Sequence, residues 1–288
     1  MEWLSNYFRS ILLEMLKSSA MGFFDELNGL TTSVTDLTNV NPGTFNATLF
    51  GIIRNISNVA LVPVATLILC YLMTITFIKI VEDKNTYKDM TYMPVFKWIL
   101  FTTIGIILIS KTYDIVLAVF DVVGWILTKA GAVIASSHAS MDLQTQLNSL
   151  VDSIDSTDIG AMFGAIVQLT ICRLLVSIVA VLCKVVMYFR IISILVYSSA
   201  AAIPTATLMD KGQTSTGLNY YKTLAALGLQ GFFVMIVVAV FDVLIVDLAT
   251  HGASSINELI WGTLMYVIAL CMGLFSTKRV AEVTLGAR

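Results

Sequence analysis

The most informative apolar run extends from Ile159 to Met187, longer than the roughly 20 residues that a helix needs to cross a bilayer. Near its middle, the run carries a basic residue, Arg173. On a helix, four polar residues of this run fall on one narrow stripe, namely Thr170, Arg173, Ser177 and Lys184. Because a charge within the bilayer is unfavourable, we expect the stripe to face protein or water inside a bundle of helices.

A second face of the same helix is predicted from small residues. Gly160 and Gly164 are spaced as GxxxG, and Gln168 continues this spacing toward the outer end. Small residues at such intervals let two helix backbones approach closely within a membrane. This face is therefore a candidate for contact with another helix.

Another clear span is predicted from Thr223 to Ala249, with Gly228 and Gly231 as packing notches. Asp242 and Asp247 lie near its outer end, about 140° apart around a helix, so they do not form a same-face pair of carboxylates. We interpret them as solvated or capping residues. The alternative is that Asp242 forms a charge pair with a basic residue on another helix.

The N-terminal region reads as an amphipathic helix with a wide apolar face. Such a helix lies in the membrane interface or docks on the bundle, or else it forms a surface for a neighbouring subunit. The apolar face is composed of Trp3, Leu4, Tyr7, Phe8, Ile11, Leu12, Met15 and Leu16.

Two segments leave the number of spans open. The apolar run after Val95 is too long for one simple span, so Ile115 to Ala135 either crosses or lies in the interface. Ile191 to Leu208 is short, contains Pro204 and has bases at both ends, which favours a re-entrant or interfacial helix over an ordinary span. Charge bias then gives about five spans with the N-terminus outside and the C-terminus cytoplasmic, whereas six would place the N-terminus inside.

The pattern as a whole predicts an all-α, polytopic transmembrane bundle of about five spans, within a range of five to seven. Interfacial or re-entrant helices accompany them. In chain order, we expect an amphipathic region at 1–30, a polar linker at 31–55, a first membrane unit at 56–135, an outer acidic loop at 136–158, a second membrane unit at 159–277 and a cytoplasmic tail at 278–288.

Composition excludes a soluble globular protein. The 288 residues are 57% hydrophobic and only 12% charged, with a mean hydropathy of +0.87 and a formal net charge of −2. The four cysteines lie in apolar stretches without metal-ligand spacing, and no metalloprotease, phosphate-loop or catalytic-triad motif is present. We therefore expect neither an enzyme nor a bound metal or cofactor.

The layout resembles the TrbL family of polytopic inner-membrane subunits of type IV secretion and conjugation systems. The stretch LVPVATLILCYLMTITFIKI, a charged loop and then PVFKWILFTTIGIIL are similar to versions carried by conjugative elements of Gram-positive bacteria. The resemblance covers most of the chain. It rests on the order of the segments and their composition, not on a short motif.

The resemblance implies a non-enzymatic subunit of the cell membrane that helps to move DNA with its attached protein. Several copies would assemble with other channel subunits and secretion ATPases. The outer segment that the family uses in substrate passage corresponds to Asp114 to Asp158, which is acidic and should repel phosphate, so we expect contact with the DNA to be indirect. The alternative is a small-solute channel or secondary transporter that uses Arg173 to interact with an anion.

Overall fold

The computed structural model describes residues 2–39, 46–82, 92–137, 159–210, 212–248 and 256–287. All regular structure in these ranges is helical, which confirms the all-α fold. A π-helical turn at Ser57–Leu61 joins the second and third helices, directly before Pro63. The helices are α1 (Glu2–Asn39), α2 (Ala47–Ile56), α3 (Val62–Glu82), α4 (Met93–Ser110), α5 (Thr112–Ser137), α6 (Ile159–Ala200), α7 (Ala202–Thr207), α8 (Thr214–Asp247) and α9 (Ile256–Leu285).

Six helical stretches in these ranges are long and apolar enough to cross a membrane, which confirms a polytopic membrane protein. One of them, Thr112–Ile134, belongs to the segment that the sequence left open between a span and an interfacial helix. The complete set is Thr48–Glu82, Met93–Ser110, Thr112–Ile134, Met162–Ala200, Thr214–Asp247 and Asn257–Leu285.

The first helix is much longer than the sequence suggested. Helix α1 continues through Asn39 and so includes the first part of the stretch predicted as a polar linker. Hydroxyl groups there bond back to the helix itself: Thr31 Oγ1 donates to the Leu27 carbonyl at 3.3 Å, and Thr38 Oγ1 to the Val34 carbonyl at 2.7 Å. These bonds satisfy the hydroxyl groups, whereas the burial of Leu30 and Val34 offsets the weak helix preference of the threonines. Further along the predicted linker, Ala47–Ile56 is also helical.

The segment predicted as one re-entrant or interfacial helix, 191–208, is divided in the structure. Its first part continues α6 to Ala200, and its second part forms the separate six-residue helix α7. Helix α7 is largely buried against α3 and α4, where Ala202 and Ala206 pack beside Leu69 and Ile109. The break near Pro204 is therefore enclosed by protein, as irregular backbone at membrane depth has to be.

Contacts divide the chain into two compact units, and each is built from separate stretches. Unit 1 contains Met1–Asn39, Leu127–Tyr188 and Gly231–Thr277. Its core brings the apolar side of α1 together with α6, α8 and α9, and includes the fully buried Phe23, Leu30, Cys172 and Val234. The second half of α1 is thus an integral part of this unit.

Unit 2 contains Val40–Ile126, Phe189–Gln230 and Lys278–Arg288. It has two buried clusters: one joins α3, α4 and α7, and the other joins α5 with parts of α6 and α8. Close approach is allowed by glycine, since a Cβ added at Gly105 of α4 would lie 3.0 Å from Leu69 Cδ1.

The segments predicted along the chain do not follow these units, because both units combine stretches that are distant in sequence. Most of the predicted outer acidic loop, residues 138–158, lies outside the described residues. At the other end, the predicted cytoplasmic tail begins as a continuation of α9, which reaches Leu285.

If all of the first three candidate spans cross, Asn46 and Ser137 lie on opposite sides of the membrane. We therefore expect single cysteines at these two positions to react with a membrane-impermeant maleimide from opposite sides, in sealed vesicles of the two orientations. A cysteine at Gln213, in the turn before α8, serves as a further reference. Labelling of Asn46→Cys and Ser137→Cys from the same side would contradict three crossings.

Candidate functional site

The polar stripe of α6 runs along one edge of a buried seam. The seam residues, which include Leu169, Cys172, Val176 and Cys183, pack into the core of unit 1. Each polar residue of the stripe directly follows one of these seam residues in sequence. Thr170, Arg173 and Lys184 are exposed and Ser177 is half-buried. The structure therefore places the whole stripe beside the contact between α6 and the rest of its unit.

The side chain of Arg173 lies against helix α1 at Gly22. A Cβ added at Gly22 of α1 would lie 2.6 Å from Arg173 Nη1 and 3.0 Å from Cζ. The guanidinium group thus occupies the space that a side chain at Gly22 would need. This contact joins the middle of α1 to the first half of the candidate span Met162–Ala200.

Within the described ranges, no hydrogen bond or ion pair engages the Arg173 side chain. Gln168, which the sequence placed on the small-residue face, donates a hydrogen bond from Nε2 to Asn257 Oδ1 of α9. A guanidinium carries five donors and keeps its charge at any accessible pH. Arg173 therefore presents donors that no described residue satisfies, and lipid hydrocarbon would offer them no acceptor.

The small-residue face of α6 is open at Gly164, whereas Gln168 at its end contacts α9. Gly164 is exposed, and a Cβ added there would meet nothing within 4 Å. Gly160 is exposed as well. By helical geometry Gly164 lies about 180° around α6 from Arg173, so the two predicted faces are on opposite sides of one helix.

The predicted notches of α8 are both buried. A Cβ added at Gly228 would lie 2.8 Å from Val123 Cγ2, so α5 approaches closely at this point. Asp242 is half-buried, whereas Asp247 is exposed at the last residue of α8. Both aspartates take part in polar or electrostatic interactions.

The predicted apolar face of the N-terminal helix is only partly covered. Leu16 is fully buried and Leu12 packs against the core of unit 1, whereas Tyr7, Ile11 and Met15 are exposed. The side chains of Trp3, Leu4 and Phe8 lie outside what the structure describes. The part of α1 that is covered by the core therefore lies mainly after the predicted apolar face, from Leu16 onward.

One buried base, Arg190, is not among the site residues predicted from the sequence, where it counts only as one of the bases that flank the segment 191–208. The structure continues α6 beyond Arg190 and leaves this residue only 4% exposed. Its Nε donates to the Leu227 carbonyl at 3.2 Å, and its Nη2 to the Gly228 carbonyl at 3.1 Å. The apolar run on both sides of Arg190 was the available signal for burial.

Among the described residues, no three His, Cys, Asp or Glu side chains come together in a way that could hold a metal ion. In unit 1, α6 carries an exposed cationic stripe and an open position at Gly164, which can contact other groups. In unit 2, the buried guanidinium of Arg190 holds two carbonyl groups of α8.

A family described as TrbL/VirB6 plasmid conjugal transfer like protein matches residues 27–202, more than half of the 288. The chain belongs to this TrbL/VirB6 family. No curated protein and no solved structure gives a significant match. The TrbL/VirB6 membership makes the chain a membrane component of a conjugal transfer, or type IV secretion, system, as the sequence resemblance indicated.

We expect Gly22→Leu to destabilise this TrbL/VirB6 protein by about 1–3 kcal/mol, because the new side chain displaces the Arg173 guanidinium. The measurement is the unfolding midpoint of the purified chain in detergent. Gly29→Leu is the matched control, since a Cβ at Gly29 of the same helix meets nothing within 4 Å. Adding Arg173→Ala to Gly22→Leu should restore part of the stability, and equal effects at Gly22 and Gly29 would contradict the contact.

We expect Arg190→Lys to lower stability by about 1.5–3 kcal/mol, because an ammonium group cannot reproduce the planar fork that reaches two successive carbonyls. The same unfolding midpoint in detergent measures it. Arg279→Lys, at an exposed position of α9, is the control and should change little. A stable Arg190→Lys variant would show that the two hydrogen bonds contribute little.

Proposed function

We propose that this TrbL/VirB6 chain is a channel or scaffold subunit that assists the passage of a DNA–protein substrate through the cell membrane. Several copies would assemble, together with other channel subunits and the secretion ATPases. The role is non-enzymatic, and contact with the nucleic acid is indirect. The observation that carries this proposal is Arg173, a charged side chain exposed within the first half of the apolar helix α6.

Lipid hydrocarbon cannot satisfy a guanidinium, so charged residues in spans face a bundle interior, a water-filled cavity or another protein. Within the described residues, Arg173 has no such partner in its own chain. A neighbouring copy or an aqueous path would supply one. Thr170, Ser177 and Lys184 extend the same polar surface along the helix.

The outer face of α1 adds to this polar surface. Helix α1 packs into the same core as α6, α8 and α9, yet the side turned away from the core carries exposed Ser18, Asp25, Asn28 and Thr32. A helix with one apolar and one polar side, embedded among candidate spans, separates a lipid-like interior from a polar surrounding. We infer that α1 and the stripe of α6 together face that surrounding.

The two faces of α6 suit a ring of copies. A cyclic assembly with head-to-tail contacts uses two different surfaces on each subunit. Gly164 and Arg173, about 180° apart, offer one small-residue surface and one polar surface. In such a ring, the Gly160 and Gly164 side of one copy lies against the polar stripe of the next.

The proposed orientation places the C-terminus in the cytoplasm, because Lys278 and Arg279 follow the last candidate span. With six crossings, the segment before the first span shares that side, whereas the five spans first expected from the sequence would put it outside. The acidic segment after α5 would then lie outside the cell, as a subunit-facing or pore-shaping element.

Cross-linking in native membranes tests the ring. In a background without the four native cysteines, Gly164→Cys on one copy and Thr170→Cys on a differently tagged copy should be joined by a flexible bismaleimide. When both changes are on one chain, a ladder of products should result. Thr170→Cys with Val122→Cys, exposed on α5, is the control pair. Exclusively monomeric product, or Gly164→Cys joined only to itself, would contradict the head-to-tail ring.

A substitution at Arg173 should reduce conjugal transfer. We expect Arg173→Leu to reduce conjugal transfer about tenfold, which corresponds to about 1.4 kcal/mol of lost coupling, while Arg173→Lys retains more because it keeps the charge. The measurement is transfer frequency at equal protein abundance. Normal transfer by Arg173→Leu, with anion flux through vesicles of the chain alone that this variant abolishes, would favour the small-solute channel instead.

A further inference from the structure

Unit 2 contains a cavity of about 680 Å³ where three helix ends meet. The last turns of α3, the first turns of α4 and the turn between α7 and α8 surround it. We propose that this cavity binds an anionic phospholipid, with Lys79 and Lys97 holding the phosphate of the headgroup. Its volume lies within the range of about 300–1,000 Å³ typical of small-molecule sites.

Charge favours an anion. The described charged residues that line the cavity are Lys79, Lys97 and Asp210, which leave one net positive charge. Both lysines are exposed, and neither makes an ion pair or hydrogen bond with another described residue. One phosphodiester carries one negative charge, so its charge matches that of the lining.

The rest of the wall suits an acyl chain. Met73, Met93, Phe101 and Met209 are among the residues that make most of the lining apolar. Methionine adapts its shape to irregular partners, and an apolar wall gains most when a flexible hydrocarbon covers it. A free phosphate ion would satisfy the lysines but would leave this wall in water. The combination therefore favours a lipid over a soluble anion.

Trp98 fixes one wall of the cavity. Its Nε1 donates to the Met73 carbonyl at 2.8 Å, and its ring centroid lies 4.9 Å from that of Phe77. Because the indole donor is already satisfied within the protein, the ring contributes an apolar surface. Tryptophan is enriched at the level of lipid headgroups, which is the depth that a pocket between helix ends would occupy.

Asp210 determines which headgroups fit. Thr76 Oγ1 lies 3.4 Å from Asp210 Oδ1, and Thr214 Oγ1 donates to the Asp210 carbonyl at 2.6 Å, so this residue is anchored in the wall. Its carboxylate would repel the phosphate toward the lysines and accept a hydrogen bond from a hydroxyl or ammonium group. The site thus suits a headgroup with both a phosphate and a donor, such as phosphatidylglycerol.

The lysines also agree with a position at the membrane surface. Lys79 lies near the end of the candidate span Thr48–Glu82, and Lys97 lies near the start of the next, Met93–Ser110. Both lysines are therefore placed where a span meets the headgroups. With the five spans expected from the sequence, the connection between α3 and α4 and the turn before α8 both lie on the cytoplasmic side, where basic pockets between transmembrane helices bind anionic headgroups by this combination of charge and depth. Each lysine near the surface favours an anionic lipid by about fivefold.

The test uses the full chain with Trp3, Trp125 and Trp261 changed to Phe, which leaves Trp98 as the only indole. In phosphatidylcholine vesicles, brominated phosphatidylglycerol should quench Trp98 fluorescence at a mole fraction at least about fivefold lower than brominated phosphatidylcholine. Lys79→Gln with Lys97→Gln should remove this preference. Lys129→Gln, at an exposed position of α5 that does not line the cavity, should keep it.

Three results would overturn the proposal. They are equal quenching by the two lipids, a preference that persists without both lysines, and displacement of the lipid by inorganic phosphate at the same concentration. The last would show that the site takes a free anion. Equal unfolding midpoints of the lysine variants and the parent establish that a lost preference reflects the site and not the fold.

Discussion

The absence of hydrogen-bonding partners in hydrocarbon governs most of what this chain does with its polar residues. Hydroxyl groups in the candidate spans return to their own helix, as Thr66 Oγ1 does to the Val62 carbonyl at 2.9 Å and Ser198 Oγ to the Ile194 carbonyl at 2.7 Å. Arg190 is satisfied by carbonyl groups of a different helix. Arg173 differs from these residues, because its charge is exposed and no described residue satisfies it. What surrounds the subunit therefore has to supply its hydrogen-bonding partners.

The spans could be predicted from sequence because hydropathy is a local property that a window of residues already contains. The length of α1 could not. Thr31, Ser33 and Thr38 have weak helix preference, and their hydroxyls only bond back to the helix. The burial of Leu30 and Val34 against other helices explains why the helix continues. Tertiary packing overrode local propensity there.

The site shows the same limit. The stripe of α6 was predictable from periodicity, because its members lie on one helix. The role of Arg190 was not, because a base near the end of an apolar run also marks the end of a span under the positive-inside rule. Its burial depends on carbonyl groups at Leu227 and Gly228, 37 and 38 residues further along the chain. Likewise, the notch at Gly22 has meaning only beside Arg173.

Helix α7 has a consequence for the motions of unit 2. With six residues between two breaks, it makes few of its own backbone hydrogen bonds and relies on contacts such as that between Thr205 Oγ1 and Tyr221 OH, 2.6 Å apart. Local opening requires the least free energy where few such bonds must break together. Amide hydrogen exchange within the enclosed part of the unit would therefore start at α7, well before the long helices on either side lose their protection.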